Sequence, residues 1–276
     1  MRESAFDLSG RVAVVVGGGS EGEGVGIGRA CAVLLARYGA SVAVLDLRAQ
    51  AAEQTLALVR AEGADGHAVG VDVADQDALG AAIRDCAERL GGLDVLVNNV
   101  GIVGPTGTAE DLDPVAWELA LRVNVTAMMT TVKHAVPLMR ARGGGSIVNM
   151  GSVSGLGGGY PHLSYATTKG AVNNLTRAMA GQHGPDGIRV NAVAPGQLYT
   201  PRIAARAPSA EMRRYRREVA PLRTEGDAWD AAHAVLFLAS PAARWITGVV
   251  LPVDAGLSAV LPLSSPPPSD TSRRSP

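Results

Sequence analysis

An α/β architecture with a doubly wound parallel sheet of about seven strands and helices on both faces follows from three features of this sequence. Short β-branched runs alternate with longer Ala/Leu-rich stretches along nearly the whole chain, the short runs are apolar without interruption, and a glycine-rich loop joins the first run to the first helix. Alternation of this kind is the βαβ signature, and a strand apolar at every position is buried on both faces.

In order, the pattern predicts a strand at Val12–Val16, a helix at Arg29–Tyr38, a strand at Ser41–Leu45 and a helix at Ala49–Glu62. It continues with a strand at Gly66–Val71, a helix at Gln76–Leu90, a strand at Val95–Val97 and a helix around Val115–Met139. A strand at Ser146–Met150, a helix from about Ser164 to His183 and a strand at Arg189–Val193 follow, then a helix near Trp229–Leu238 and a last strand near Val249–Val253. These elements fit one sheet, so residues 1–261 are expected to form a single dinucleotide-binding and catalytic domain of Rossmann type. Residues 198–226 are rich in Arg, are interrupted by Pro and show no clear strand, which suggests a helical insertion or mobile lid over the substrate. The segment 262–276 is rich in Pro and Ser with almost nothing to bury, and is expected to be a disordered tail.

Composition narrows the class. The chain has 276 residues, 47% of them hydrophobic and 18% charged, with 34 Gly. That profile suits a well-buried globular enzyme. A formal charge of −1 gives no reason to expect nucleic acid as the main partner. Cys31 and Cys86 lie far apart in helical patterns, so no disulfide framework or CxxC site is expected. None of His67, His134, His162, His183 and His233 is spaced to share a metal with another His or a Cys, and no metal site is expected. Without a signal-like N-terminus or a run of about 18 apolar residues, a cytoplasmic protein that does not associate with membranes is expected.

Directly after the first strand stands Gly17-Gly18-Gly19-Ser20-Glu21-Gly22-Glu23-Gly24-Val25-Gly26-Ile27-Gly28, and a helix begins at once. Glycines let backbone N–H groups approach a pyrophosphate, and a helix N-terminus adds partial positive charge there. The second strand ends at Asp46-Leu47. A carboxylate at that place can accept both adenosine ribose hydroxyls and repels a 2′-phosphate, which favours NAD over NADP. Arg48 keeps NADP as the second reading, and Asp46 as a simple helix N-cap is the alternative to a cofactor role.

Ser152 precedes Tyr165, and Lys169 lies four residues beyond Tyr165, on the same face of a helix. A phenol with ordinary pKa near 10 is a poor base at neutral pH, but a nearby ammonium favours the phenolate, and a Tyr so tuned can exchange a hydroxyl proton as hydride moves. Taken singly, Ser152 also fits a turn cap, Asn124 a helix bend and Tyr165 a half-buried aromatic.

These residues, in this order, resemble the short-chain dehydrogenase/reductase family over about residues 7–257. The family's glycine-rich loop is matched from Gly18 through Gly28, its Asn-Asn-Ala-Gly by Asn98-Asn99-Val100-Gly101, and its helix Asn by Asn124. Its Ser, Tyr and Lys fall on Ser152, Tyr165 and Lys169, and its Pro-Gly segment with a following Thr on Pro195-Gly196-Gln197-Leu198-Tyr199-Thr200. The resemblance implies that Tyr165 is the general acid/base, Ser152 stabilises the substrate oxygen, Lys169 holds the nicotinamide ribose and lowers the Tyr pKa, and Asn124 holds a relay water. It implies cofactor contacts from Gly18, Ser20, Gly26, Ile27, Gly28, Asp46, Leu47, Asp72, Val73, Asn98, Val100, Gly101, Tyr165, Lys169, Pro195, Gly196, Leu198 and Thr200. A homotetramer or homodimer is implied as well.

Departures from the family pattern are a loop about four residues longer, carrying Glu21 and Glu23, with Val100 in place of Ala and Asp254-Ala255-Gly256 in place of Asp-Gly-Gly. The inserted carboxylates either face solvent or form a flap over the adenosine half. Pocket walls are expected from 102–107, 153–162 and 199–222, with Val103, Leu156, Tyr160, His162 and Tyr199 as substrate contacts. They suit an apolar, cyclic alcohol or ketone. Arg213, Arg214, Arg216 and Arg217 fit either a carboxylate or phosphate site or, more commonly, a solvated helix face. The function expected is NAD-dependent interconversion of a secondary alcohol and a ketone. An NADPH-dependent ketoreductase of 3-oxoacyl or polyketide type is the alternative, and the intact acid/base set argues against a non-catalytic nucleotide sensor.

Overall fold

The computed structural model describes residues 5–260. Within them, seven strands form one parallel sheet in the order β3-β2-β1-β4-β5-β6-β7. The strands are β1 (Val12–Val16), β2 (Ser41–Asp46), β3 (Gly66–Gly70), β4 (Val95–Asn98), β5 (Gly145–Met150), β6 (Ile188–Pro195) and β7 (Val250–Val253). The helices are α1 (Ile27–Arg37), α2 (Ala49–Ala61), α3 (Gln76–Leu90), α4 (Pro114–Leu121), α5 (Ala127–Ala141), α6 (Leu163–His183), α7 (Pro201–Ala204), α8 (Ala210–Glu218) and α9 (Ala228–Ala239). The expected elements are present, with bounds shifted by one or two residues. The tail expected to be disordered lies outside the described residues.

β1 shows why the fold forms. All five of its residues are buried, and alternate side chains enter opposite layers. Ala13 and Val15 join one core with α1, α2 and α9, while Val14 and Val16 join the other with α3, α5 and α6. A strand covered on both faces cannot be amphipathic, hence its unbroken apolar run. The free cysteines Cys31 and Cys86 fill space in these two layers, and burial pushes both thiols up to about 12.

The strand order reverses between β1 and β4, and the crevice beyond their carboxyl ends is where open α/β sheets place ligands. The loops after β1, β4, β5 and β6 therefore meet at one edge. Expected as one helix around Val115–Met139, the segment from Pro114 to Ala141 is helical throughout but contains a single π-turn at Arg122–Thr126. A π-turn inserts an extra residue and re-aims the side chains around it. Here it turns Asn124 inward, fully buried. Residues 198–226, between β6 and α9, form the short helix α7 and the helix α8 and contain no strand. Among the described residues no helix is long and apolar enough to cross a membrane.

Ala255, which stands where the family pattern has Gly, has φ 56°. A Cβ in the left-handed region costs about 1–2 kcal/mol, partly offset by the extra unfolded-state entropy of Gly. Ala255→Gly is therefore expected to stabilise the protein by about 0.5–1 kcal/mol and raise Tm by roughly 1–3 °C in a calorimetric melt. A lower Tm would show that the neighbouring contacts, not the backbone angle, set the stability of this turn.

Candidate active site

The glycine-rich loop is shaped by close approaches. A Cβ on Gly28 would stand 1.9 Å from the Gly17 carbonyl oxygen and 2.6 Å from Asn99 Nδ2. No side chain fits there. Asn99 Nδ2 donates to that same Gly17 carbonyl at 2.7 Å, tying the end of β4 to the loop after β1. The sequence motif alone does not show this task of Asn99, which depends on β1 and β4 being neighbours in the sheet. Helix α1 starts at Ile27 with no side-chain cap on Gly26 and no acidic residue in its first turn. Its first N–H groups therefore suit a phosphate. Gly18 and Ser20 are buried, and the Ser20 hydroxyl accepts the Gly26 N–H at 3.1 Å, closing the loop on itself.

Asp46, at the end of β2, accepts the Gly19 N–H at 2.9 Å and the Arg48 N–H at 3.1 Å. The carboxylate thus lies against the glycine-rich loop, where an adenosine ribose would come. Arg48 turns toward the same loop: it donates to the Ser20 carbonyl at 3.1 Å and stands 3.8 Å from Asp46. Leu47 is exposed. After β3, Asp72 caps a turn through the Ala74 N–H at 2.9 Å, and Val73 is buried.

Asn98 is buried at the end of β4. Its side chain donates to Asn149 Oδ1 at 2.9 Å and accepts from Thr131 at 2.8 Å, both within the core. A Cβ on Gly101 would stand 3.3 Å from Lys169 Nζ and 3.5 Å from Asn124 Oδ1, so Gly101 keeps open the space beside the amine.

Ser152, at the end of β5, is buried and its hydroxyl accepts from the Ser154 hydroxyl at 2.8 Å and from the Ser154 N–H at 3.2 Å. Tyr165 and Lys169 lie on α6, with Lys169 Nζ 5.6 Å from the Tyr165 ring centroid. Lys169 is buried and donates to the Met150 carbonyl at 2.7 Å. Burial, and then the charge of Arg202, pushes its amine down to about 8. For Tyr165 the outcome differs from the simple expectation. Burial holds the phenol above its ordinary value, and the hydrogen bond from Ser152 is the largest effect pulling it back. Tyr160 raises it further, and the charges of Arg202 and Arg206 lower it. Desolvation thus outweighs the positive surroundings here.

Asn124 Nδ2 donates to the Ile102 carbonyl at 2.8 Å and to the Thr168 hydroxyl at 2.9 Å, while its Oδ1 accepts the Ile102 N–H at 2.8 Å. Its side chain therefore clamps the segment after β4 to α6. Pro195 ends β6. Gly196 approaches Asp254 so closely that a Cβ would lie 2.6 Å from the Asp254 Cβ, Leu198 is buried, and Thr200 precedes α7.

Of the expected substrate residues, Tyr160 and His162 gather at the catalytic tyrosine: the Tyr160 ring lies 5.6 Å from that of Tyr165 and 5.3 Å from that of His162. Tyr199 is covered by the Arg213 guanidinium at 3.9 Å from the ring centroid. Val103 is half-buried and Leu156 exposed. Arg202, missed by sequence reasoning, donates to the Gly101 carbonyl at 2.9 Å and lies 3.8 Å from Glu21. The inserted loop is thereby bridged to α7. A long-range pair of this kind leaves no local signal in a sequence.

A doubly wound sheet with a nucleotide cradle at its switch point and a Ser, Tyr and Lys at the adjoining strand ends defines a nicotinamide-dependent oxidoreductase. The chain belongs to the short-chain dehydrogenase/reductase family: the family model described as enoyl-(acyl carrier protein) reductase matches residues 22–258. It is 39% identical over 250 residues, 91% of this chain and 97% of the relative, to cis-4-hydroxycyclohexanecarboxylate dehydrogenase of Sinomonas cyclohexanicum. It is 37% identical, over 91% of this chain and 97% of the relative, to 2,5-dichloro-2,5-cyclohexadiene-1,4-diol dehydrogenase of Sphingobium indicum. A solved 7α-hydroxysteroid dehydrogenase in complex with NADH and 7-oxo glycochenodeoxycholic acid superposes with a TM-score of 0.86 at 33% identity, covering 93% of this chain and 98% of that one. The chain is accordingly an oxidoreductase of CH–OH groups with a nicotinamide cofactor.

Gly28→Ala forces its new methyl into the Gly17 carbonyl and is expected to weaken NADH binding by about tenfold or more, read by nicotinamide fluorescence. Unchanged binding would mean that the loop relaxes and that its close approach does not shape the cradle.

Proposed function

We propose that this protein is an NAD-dependent dehydrogenase that interconverts a secondary alcohol and a ketone on an apolar, ring-bearing small molecule. The observation that carries the reading is the convergence of Ser152, Tyr165 and Lys169 beside Gly101, at the strand ends next to the glycine-rich loop. The ring-bearing substrate draws on the relatives, whose names specify cyclohexane, cyclohexadiene and steroid alcohols, and on the Tyr160 and His162 rings beside Tyr165.

The cradle fits the cofactor: the uncapped start of α1 is suited to the pyrophosphate, Asp46 to the adenosine ribose, and the space that Gly101 leaves beside Lys169 to the nicotinamide half. Leu47, Asp72 and Val73 are assigned to the adenosine side, and Val100, Pro195, Gly196, Leu198 and Thr200 to the nicotinamide side. When bound, the nicotinamide supplies or accepts the hydride. Tyr165 takes the hydroxyl proton in oxidation and returns it in reduction. Ser152 donates a hydrogen bond to the substrate oxygen as charge develops there. Lys169 binds the ribose with its ammonium form, and Asn124 acts as a positioning residue that fixes Ile102 and Thr168 around the pair. Residues 198–226, with α7 and α8, close over the substrate as a lid, and the region 1–261 acts as one dinucleotide-binding and catalytic domain.

Because the Ser152 hydroxyl lowers the Tyr165 pKa, its removal raises that pKa further. Oxidation needs the deprotonated phenol, so Ser152→Ala is expected to move the rise of kcat/KM for alcohol oxidation to higher pH. It should also lower the plateau by about 100-fold, as for loss of an oxyanion donor. A profile of unchanged midpoint would remove Ser152 from the control of Tyr165.

The preference for NAD rests on Asp46. Fluorescence titrations with NADH and NADPH should show tighter NADH binding in the wild type and loss of that preference in Asp46→Ala. The position of Arg48, turned to the Ser20 carbonyl, favours the second reading, an NADPH-dependent ketoreductase. Equal or tighter NADPH binding by the wild type would put that reading first.

A further inference from the structure

From α7, Arg202 reaches both walls of the crevice. Its Nη1 donates to the Gly101 carbonyl at 2.9 Å, on the loop after β4, and its Nε stands 3.8 Å from Glu21 Oε1, on the loop after β1. The preceding Pro201 packs in the same place: a Cβ on Gly24 would lie 3.3 Å from the Pro201 Cγ, so the inserted loop and α7 are within van der Waals reach. The insertion is anchored from below. Arg48 donates to the Ser20 carbonyl at 3.1 Å, Arg29 donates to the Gly24 carbonyl at 2.9 Å, and the Ser20 hydroxyl accepts the Gly26 N–H at 3.1 Å. The backbone on both sides of Glu21 is thereby pinned.

A guanidinium has five N–H donors. Among the described residues, that of Arg202 makes one hydrogen bond, to Gly101, while the Glu21 carboxylate is at ion-pair distance but too far for a hydrogen bond. The two side chains are 41% and 53% exposed, so their pairing is weak and readily exchanged. On either side of it lies the cofactor cradle. Glu21 belongs to the loop that leads into the uncapped start of α1, and Gly101 borders the Lys169 amine. A dinucleotide with one ribose at Asp46 and the other at Lys169 carries its diphosphate between them, beneath the gap that Arg202 spans. An insertion bearing Glu21 and Glu23 adds negative charge where the ligand is itself negative. A forked guanidinium offsets that charge and matches a phosphate through two parallel hydrogen bonds.

We propose that Arg202 binds the diphosphate of the dinucleotide, and that Glu21 holds its guanidinium in place until the diphosphate displaces the carboxylate. The assignment rests on the cofactor cradle proposed above and adds to it a side-chain ligand beside the backbone N–H groups of the loop. Glu21 then competes with the cofactor for Arg202, so the two residues act on binding in opposite directions. A bridge that merely braced the two loops would act in one direction, since loss of either partner would loosen the cradle.

The test measures the affinity of the full chain for NADH, by nicotinamide fluorescence, and for ADP-ribose, by calorimetry, in the wild type, Arg202→Met and Glu21→Gln, with Tm recorded on the same samples. Arg202→Met is expected to weaken both ligands by roughly 10- to 100-fold, as for loss of a charge-assisted phosphate contact. Glu21→Gln is expected to tighten both by about two- to fivefold, as for release of an exposed ion pair. ADP-ribose carries the diphosphate without the nicotinamide. Weakening of NADH alone in Arg202→Met therefore assigns the arginine to the nicotinamide half and overturns the proposal. Binding by Arg202→Met equal to that of the wild type, or binding by Glu21→Gln no tighter than that of the wild type, overturns it as well. Should Arg202→Met melt far below the wild type, the direction of the Glu21→Gln effect decides. A wild type that binds both ligands, responds to both substitutions as expected and oxidises no alcohol overturns the dehydrogenase reading alone, whereas one that binds neither ligand overturns the cradle and the arginine contact together.

Discussion

Helix α6 is held on the sheet by polar contacts, and the reaction site depends on them. Its buried side carries Ser164, Thr168, Lys169, Asn173 and Thr176 alongside Val172, Met179 and Ala180. Lys169 bonds to the end of β5, Thr168 accepts from Asn124, Asn173 donates to the Gly155 carbonyl, and Thr176 accepts from Asn149. Apolar burial is non-directional and tolerates sliding or rotation, whereas hydrogen bonds in a dry interior fix both. A turn of α6 by one residue would leave several of these groups unsatisfied, each at a cost of about 1–3 kcal/mol. Tyr165 stands where it does because that cost excludes other registers.

At the other half of the crevice the constraint is steric. β1 and α1 approach so closely at Gly17 and Gly28 that one carbonyl fills the place of a side chain, and Asn99 from β4 satisfies that carbonyl. Loop and cradle are thereby joined to the sheet's switch point. The longer insertion, with Glu21 bridged to Arg202, reaches across to the segment after β6. The two halves of the site thus share a contact through a residue pair far apart in the chain.

Electrostatics at the site is a contest between burial and charge. Burial brings the Lys169 amine down to about 8 while holding the Tyr165 phenol up, so dry surroundings are the largest influence on the protonation of both. Ser152 and the guanidiniums of Arg202 and Arg206 favour the phenolate. Since those arginines come from the segment containing α7, its position and the basicity of Tyr165 are linked.

The sequence by itself determined the order of strands and helices, because a strand covered on both faces must be apolar throughout and a helix must show its own period. It also determined the loop, Asp46 and the Ser152, Tyr165 and Lys169 set, because local spacing carries them: strand-loop-helix for the first, and one helix face for the last two. What lay beyond it were pairings between distant segments. The side-chain partner of Asn98 is hidden until β5 is seen beside it with Asn149. Asn124 gives no hint of its protein partners until the π-turn brings it to Ile102. Only the tertiary structure decided these, since a hydrogen bond or ion pair depends on distance and direction between groups that the chain separates by tens of residues, and local patterns carry neither.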